Sequence, residues 1–357
     1  MRTLIVPCAG RSTRYPDMRP KWLLTHPNGE LMLKKALSAV DMSLFDRVYI
    51  VIVKEHDKRY DAGLILRQVF PSPKIKVHVL KDFTSCVAET IHKVIKDNRI
   101  KGEIVIKDSD NFVGADYSAR GNFVIGMNIE HREVSRLAAK SFIKVNEAGL
   151  ITDIIEKRVK SNLVSLGVYG FESAELFERA YASLSGDKAA ELVGGELYIS
   201  HVIAYCIGSS LASFSYYEAG SFEDWGTLGD WLKVQRRHAT YLVDVDGVVM
   251  KNCGRYGRVN WSNNEEMLPE NVKALKALAA GGAQLVFITS RAEAYRRKLE
   301  KLFARHGITY HAMVMGCNHS PRVVINDFAP SNPYPSCEAV NIPRNARLSD
   351  YLGKAAD

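Results

Sequence analysis

Asp244 and Asp246 stand two residues apart, after the apolar run Tyr241, Leu242, Val243 and before Gly247. The run reads as a buried strand and the glycine as the turn leaving it. Both carboxylates then project from the carboxyl end of a strand, where open α/β sheets hold their ligands. There one carboxylate can attack phosphorus while the other handles protons, with a magnesium ion bridging them to the phosphate. A second constellation lies at the start of the chain, where the first strand runs into Pro7-Cys-Ala-Gly-Arg-Ser-Thr-Arg-Tyr-Pro16. A glycine-bearing loop in that position lets backbone N–H groups approach phosphates. Arg14 and Lys21 follow at fixed offsets, and their charges would neutralise a triphosphate and a leaving pyrophosphate.

Alternating elements must position these residues. Residues 3–6, 48–53, 76–80 and 103–106 read as strands, with helices at 31–40 and 87–95 between them. That rhythm predicts a mostly parallel sheet with right-handed crossovers. After about residue 120 the runs shorten and alternate (122–126, 138–146 and 165–171), which predicts antiparallel strands added to the sheet. The polar stretch 232–238 marks a boundary, giving domains at 1–235 and 240–357. Beyond it the alternation restarts: a strand, a helix at 270–280, a strand at 284–289, a helix at 292–306, and strands at 311–315 and 323–326. The fold class expected is α/β, two doubly wound Rossmann-like domains, the first with a mixed sheet and the second smaller. The stretch after Ala329, rich in Pro and Asn, is expected to wrap the surface.

At 357 residues each domain has room for its own core. No apolar run approaches the roughly 18–20 residues that span a bilayer, and the start of the chain lacks the flanks of a secretory signal. Six scattered cysteines include no C-x-x-C pair, which argues against a zinc site or a disulfide framework and for a reduced, cytoplasmic setting. The net charge of +8 divides evenly, since residues 239–357 hold 15 Lys+Arg and 11 Asp+Glu. With no basic block, nucleic-acid binding is not expected, and two phosphate-handling sites account for the excess.

The N-terminal segment resembles the nucleotidyltransferases that act on sugar phosphates and similar phosphates, whose signature runs roughly A-G-x-G-T-R-x-x-P…P-K. Ala9, Gly10, Thr13, Arg14, Pro16, Pro20 and Lys21 match, with Ser12 in place of a second glycine. The resemblance makes Ala9, Gly10, Arg11, Ser12 and Thr13 nucleotide-binding, with Thr90 in the segment 84–90 as a base-recognition candidate. It makes Arg14 and Lys21 catalytic. It also implies a magnesium site, with Asp110 as first choice of ligand, Asp108 as second and Asp224 as a further carboxylate. Glu156-Lys157 followed by Gly167-Val-Tyr-Gly-Phe171 resembles the family's E-K…G-x-Y-x-F block, in which Lys157 would hold the acceptor phosphate. The implied reaction is in-line attack of a substrate phosphate oxygen on the α-phosphorus of a nucleoside triphosphate, achieved by positioning and charge neutralisation.

Residues 241–345 resemble the haloacid dehalogenase (HAD) phosphohydrolases. The resemblance makes Asp244 the nucleophile that forms an aspartyl-phosphate and Asp246 the acid and base. Thr289 would bond the phosphoryl group, Arg322 would stand where the family usually has a lysine, and Asp327 would close a magnesium site with Asp244 and Asp246. His238 and His319 read as surface histidines. Neither gap in this segment holds a full cap domain, so a bulky phosphate can enter, and a partner subunit in a homo-oligomer or the N-terminal domain is expected to serve as lid. Together the resemblances imply a bifunctional enzyme of capsule or cell-surface polysaccharide precursor synthesis, taking a nucleoside triphosphate (CTP preferred) and a small phosphorylated substrate. The other reading is a phosphatase whose N-terminal domain binds nucleotide without catalysis.

Overall fold

The structure, a computed structural model, describes residues 1–130, 137, 140–185, 196–254, 258–327, 329 and 336–352. The chain divides into two compact units, Met1–Trp231 and Leu232–Asp357. The first unit opens with three strands, β1 (Arg2–Pro7), β2 (Arg47–Val53) and β3 (Ile75–Leu80), and the chain then returns through a long helix to β4 (Glu103–Lys107). The short strand β5 (Asn111–Gly114) precedes β6 (Phe123–Asn128), β7 (Ser141–Val145), β8 (Ile151–Glu156), β9 (Leu163–Phe171), β10 (Ser215–Glu218) and β11 (Ser221–Asp224). The main sheet runs β10-β6-β9-β4-β1-β2-β3, with β7 and β8 attached beside β9. β1 pairs in parallel with β2 and β4, whereas β9 pairs antiparallel with β4 and β6. The sheet is therefore mixed, parallel in its first half and largely antiparallel in its second, as the shortening of the apolar runs predicts.

Helices α1 (Met32–Ala36), α2 (Lys54–Tyr60), α3 (Ala62–Val69), α4 (Val87–Asn98), α5 (Ala174–Leu184) and α6 (Ile199–Gly208) cover the two faces. Alternate residues of β1 divide between two apolar clusters: Ile5 packs with α4, α5 and α6, and Leu4 and Val6 pack with Trp22 and Leu33. This two-sided burial is what near-continuous apolar strands require. α1 is shorter than the helix expected over 31–40. The strand expected over 138–146 begins at Ser141, and positions 138 and 139 lie outside the described residues.

The chain turns from β1 to β2 on one side and comes back to β4 on the other, so the order reverses between β1 and β4. Loops leaving the carboxyl ends of these two strands flank the crevice where doubly wound sheets bind ligands. Ser109 donates to the Pro7 carbonyl at 3.1 Å and ties the two loops together. A separate two-stranded ribbon pairs β5 with β11 antiparallel, Asn111 opposite Asp224, and the Trp225 N–H donates to the Asp110 carbonyl at 2.9 Å.

Helix α7 (Leu228–Arg237) contains the division between the units. The second unit holds a parallel three-stranded sheet, β12 (Thr240–Asp244), β13 (Gln284–Ile288) and β14 (Ala312–Val314), in that order. Its helices are α8 (Arg258–Asn263), α9 (Pro269–Ala280) and α10 (Arg296–Arg305), the last preceded by a 3-10 turn at Glu293–Tyr295. Val245, Leu275, Phe287 and Phe303 are in its core. One expected strand is absent: residues 323–326 are irregular, and Val323 and Ile325 are 80% and 92% exposed. A β-branched run favours a strand only where a neighbouring backbone accepts it, and this run has no strand partner among the described residues. Of the stretch expected to wrap the surface, positions 330–335 and 353–357 lie outside the described residues. The part from 336 to 352 also does more than cover: Leu348 enters the core, and its N–H donates to Asn271 Oδ1 at 2.7 Å.

Candidate functional site

In the first unit the loop after β1 and the turn after β4 face each other. Lys21 forms an ion pair with Asp110, and Lys140 forms one with Asp224. A methyl placed on Gly226 would lie 3.1 Å from Asp224 Oδ1 and 3.5 Å from both Asp110 Oδ2 and Arg14 Nη1. Two carboxylates and a guanidinium thus surround one point, with two ammonium groups bonded to the carboxylates. Burial works to raise the pKa of Asp110, but Lys21, and then Arg14 and Lys140, outweigh it and hold the carboxyl below the usual carboxylate range. Asp108 differs. Burial, and then the charge of Asp110, push its carboxyl up to about 7.

The local backbone explains several residue types. Ser12 adopts a left-handed φ of 52°, a conformation open to glycine without steric cost, and its hydroxyl accepts the Lys21 N–H at 3.3 Å. Gly167 has φ 75°, and a side chain there would meet Asp108 Oδ2 at 2.1 Å, so the glycine of the G-x-Y-x-F block makes room for that carboxylate. Lys107 is fully buried. Its ammonium donates to the Asp108 carbonyl at 2.8 Å, to the Asn111 carbonyl at 3.0 Å and to Asn111 Oδ1, closing the turn that carries Asp108 and Asp110. Tyr15, also buried, donates to the Trp225 carbonyl and reaches the Thr227 carbonyl at 3.0 Å, joining the first loop to the Asp224 turn.

Ala9 is buried, and Gly10, Arg11 and Thr13 are exposed on the loop. The Arg11 guanidinium lies 4.4 Å over the Phe83 ring, which brings the start of α4 beside the loop. Thr90 is 2% exposed, and its hydroxyl bonds Thr84 at 2.6 Å. Lys157 has a left-handed φ of 53°, and backbone in that region concentrates at functional sites. Its ammonium donates to the Tyr198 hydroxyl, which donates to Glu196 at 2.5 Å. Glu156 is buried and accepts from the Ser141 and Ser200 hydroxyls. Lys107, Tyr15, Lys140, Glu196 and Tyr198 escape sequence reasoning. A lysine inside an apolar strand was the only local signal for any of them.

In the second unit Asp244 ends β12 and Asp246 lies in the turn beyond it. Asp246 is gripped by Arg291, whose Nε donates to Oδ2 at 2.9 Å and Nη2 to Oδ1 at 2.7 Å. The buried Thr289 hydroxyl accepts the Arg291 N–H at 3.1 Å and faces Asp246 Oδ2 at 3.5 Å. Arg322 donates to Ser290 Oγ at 3.3 Å and to the carbonyls of Asn318 and Ser320. Partial desolvation, and then the charge of Asp246, raise the pKa of Asp244, while Arg322 lowers it. Asp244, Asp246, Thr289 and Arg322 therefore assemble around the carboxyl ends of β12 and β13. Asp327 does not follow a strand as expected, because 323–326 forms none, and it is exposed. Arg291, two residues after Thr289, is a further residue that sequence reasoning gives no role.

Among the described residues no group of three or more His, Cys, Asp or Glu side chains is gathered closely enough to hold a metal ion. No helix of the described residues is long and apolar enough to cross a membrane.

No protein-family profile matches the sequence, and no curated protein matches it in sequence. Solved structures do match. A nucleoside-diphosphate-sugar pyrophosphorylase from Vibrio cholerae RC9 superposes with a TM-score of 0.56 at 18% identity, over 65% of this chain and 99% of the other. The inositol-1-phosphate CTP transferase of T. maritima gives 0.50 at 14%, over 66% and 96%. A UDP-glucose pyrophosphorylase complexed with UDP-glucose gives 0.50 at 14%, over 66% and 97%. About two thirds of the chain therefore shares the mixed-sheet fold of these solved structures.

Proposed function

We propose that the first unit transfers a nucleotidyl group from a nucleoside triphosphate to a small phosphorylated substrate and releases pyrophosphate. The observation that carries this reading is the convergence of Arg14, Asp110 and Asp224 on one point, with Lys21 and Lys140 bonded to the carboxylates, at the crevice between β1 and β4. In such a transfer the protein contributes position and charge rather than covalent bonds. The exposed loop from Gly10 to Arg14 would receive the phosphates on backbone N–H groups. Arg14 and Lys21 would neutralise the charge that builds on the leaving pyrophosphate, and Lys157 would hold the acceptor phosphate.

The donor set fits magnesium: Asp110 and Asp224 offer oxygen ligands around one point, and that ion is commonly held by one or two carboxylates together with substrate phosphates. Bound there, it would draw charge from the triphosphate, and Lys21 and Lys140, which now neutralise the carboxylates, would turn to phosphate. Asp108, packed against Gly167, is then a supporting residue. Among acceptors we favour a sugar, polyol or similar alcohol phosphate, and CTP among donors, in the making of a cell-surface polysaccharide precursor.

We further propose that the second unit hydrolyses a phosphomonoester. Asp244 would attack phosphorus and break the bond to the leaving alcohol, and Asp246 would give that alcohol its proton and later take one from water. Arg291 would fix the orientation of Asp246, and Thr289 and Arg322 would bond the phosphoryl oxygens. Asp244 and Asp246 are its metal candidates, and Asp327 would have to move to join them.

A screen of four nucleoside triphosphates against a panel of sugar and polyol phosphates, read by pyrophosphate release, tests the transferase. Release that survives both Lys21→Ala and Asp110→Ala would overturn it. Phosphomonoester hydrolysis that survives Asp244→Asn would overturn the second assignment.

A further inference from the structure

Of the four tryptophans, Trp22, Trp225 and Trp231 are buried at 1% exposure or less. Trp261 is half-buried. It stands on α8, in the stretch between Gly247 and α9 that is too short for a cap domain. Lys298 fixes this stretch to α10, donating to the Ser262 carbonyl and pairing with Glu265 at 3.2 Å.

The Trp261 ring lies parallel to the exposed His319 ring, with centroids 6.2 Å apart and 5° between planes. Tyr295 meets the Trp261 ring edge-on, with centroids 5.6 Å apart. His319 belongs to the segment that closes over the end of β13. In that segment the Gly316 N–H donates to the Arg291 carbonyl at 2.8 Å, the Cys317 N–H donates to the Thr289 carbonyl at 3.0 Å, and Arg322 reaches Ser290. The exposed face of the two, His319, is thus carried on the same short segment that brings Arg322 to the Asp244 cluster, and Trp261 lies parallel to it from α8. Core packing explains Tyr295 against Trp261 but gives no reason for an exposed histidine held parallel to a half-buried tryptophan. A planar ring attached to a phosphate would find the phosphate pocket and a stacking surface together, since every base has a π-face that stacks on an aromatic side chain.

We propose that Trp261 and His319 form a stacking subsite for the leaving group of the second unit, selecting a phosphomonoester that carries a planar ring, such as a nucleoside 5′-monophosphate. This rests on the phosphatase reading for its place in catalysis, while binding can be measured without turnover.

The test is tryptophan emission of the full chain titrated with a nucleoside 5′-monophosphate, glycerol 1-phosphate or a cyclic sugar phosphate. Saturable quenching by the nucleoside monophosphate alone, lost in Trp261→Phe, is expected; any quenching of the first unit's tryptophans would persist in that variant and so is told apart. His319→Ala should weaken this binding about tenfold, and should lower the preference in kcat/KM for the nucleoside monophosphate over glycerol 1-phosphate by a similar factor. Quenching unchanged in Trp261→Phe, or equal quenching by the cyclic sugar phosphate, would overturn the proposal. If Asp244→Asn hydrolyses as well as the wild type, the phosphatase reading falls, and the quenching result still decides the stacking subsite.

Discussion

Replacing Lys107 with Met removes a charge and three donated hydrogen bonds while keeping most of the side-chain volume. Lys107 is 0% exposed, and its bonds go to two backbone carbonyls and the Asn111 amide oxygen. Burial pulls its pKa down to about 8 despite the nearby carboxylates, so the ammonium is held at a cost. Three buried acceptors left without a donor, at roughly 1 kcal/mol each, amount to about 3 kcal/mol. Relief from burying the ammonium returns part of this, leaving a loss of about 2 kcal/mol. Chemical denaturation followed by tryptophan emission in a Trp261→Phe background reads the first unit, because its three tryptophans, all buried, are then the emitters. The expected result is a lower midpoint at unchanged slope. The same turn carries Asp110, and displacement by about an ångström can cost catalysis a hundredfold, so pyrophosphate release should fall at least tenfold. A midpoint shift worth less than about 0.5 kcal/mol, together with unchanged release, would refute the view that Lys107 holds the turn.

Ser12→Gly relieves a left-handed backbone and Ser12→Val worsens it, so the valine variant should be less stable than the glycine variant by about 1–3 kcal/mol in the same assay. Gly167→Ala places a methyl against Asp108 and should lower pyrophosphate release without unfolding the second unit, as followed by the circular dichroism of the separate melts. Arg291→Met strips Asp246 of a two-pronged partner and should cost the second unit about 2–4 kcal/mol and abolish hydrolysis; Arg291→Lys should not restore either, since an ammonium cannot reproduce the fork. Burial lowers the pKa of His56, so the unfolded chain takes up the proton first on acidification, and stability present above about pH 6.5 should be lost below it. Denaturation midpoints at pH 7.5 and 5.5 should differ less in His56→Gln than in the wild type.

Much of the first unit is legible locally. Apolar runs such as 48–53 become strands buried on both faces because their residues need no partner chosen in advance. The order of Gly10, Arg14, Lys21 and Asp110 along the chain reflects loops that leave adjacent strands. Residues 323–326 show the limit of that reading: Val323, Val324 and Ile325 have strand-forming side chains, yet no described backbone pairs with them. The Trp261–His319 pair was equally hidden, since its rings meet through segments far apart in sequence.

By itself, then, the sequence determined which residues could handle phosphate and which elements carry them, because side-chain chemistry and hydrophobic period are local properties. Only the tertiary structure decided which carboxylates meet. Asp110 and Asp224 become neighbours because β5 and β11 pair in one register, with Asn111 opposite Asp224. It also decided that Lys21 and Lys140 hold them, that Arg291 grips Asp246, and that Asp108 is turned against Gly167. Such contacts depend on strand register and on how closely two backbones approach, and neither is written in the spacing of residues along one chain.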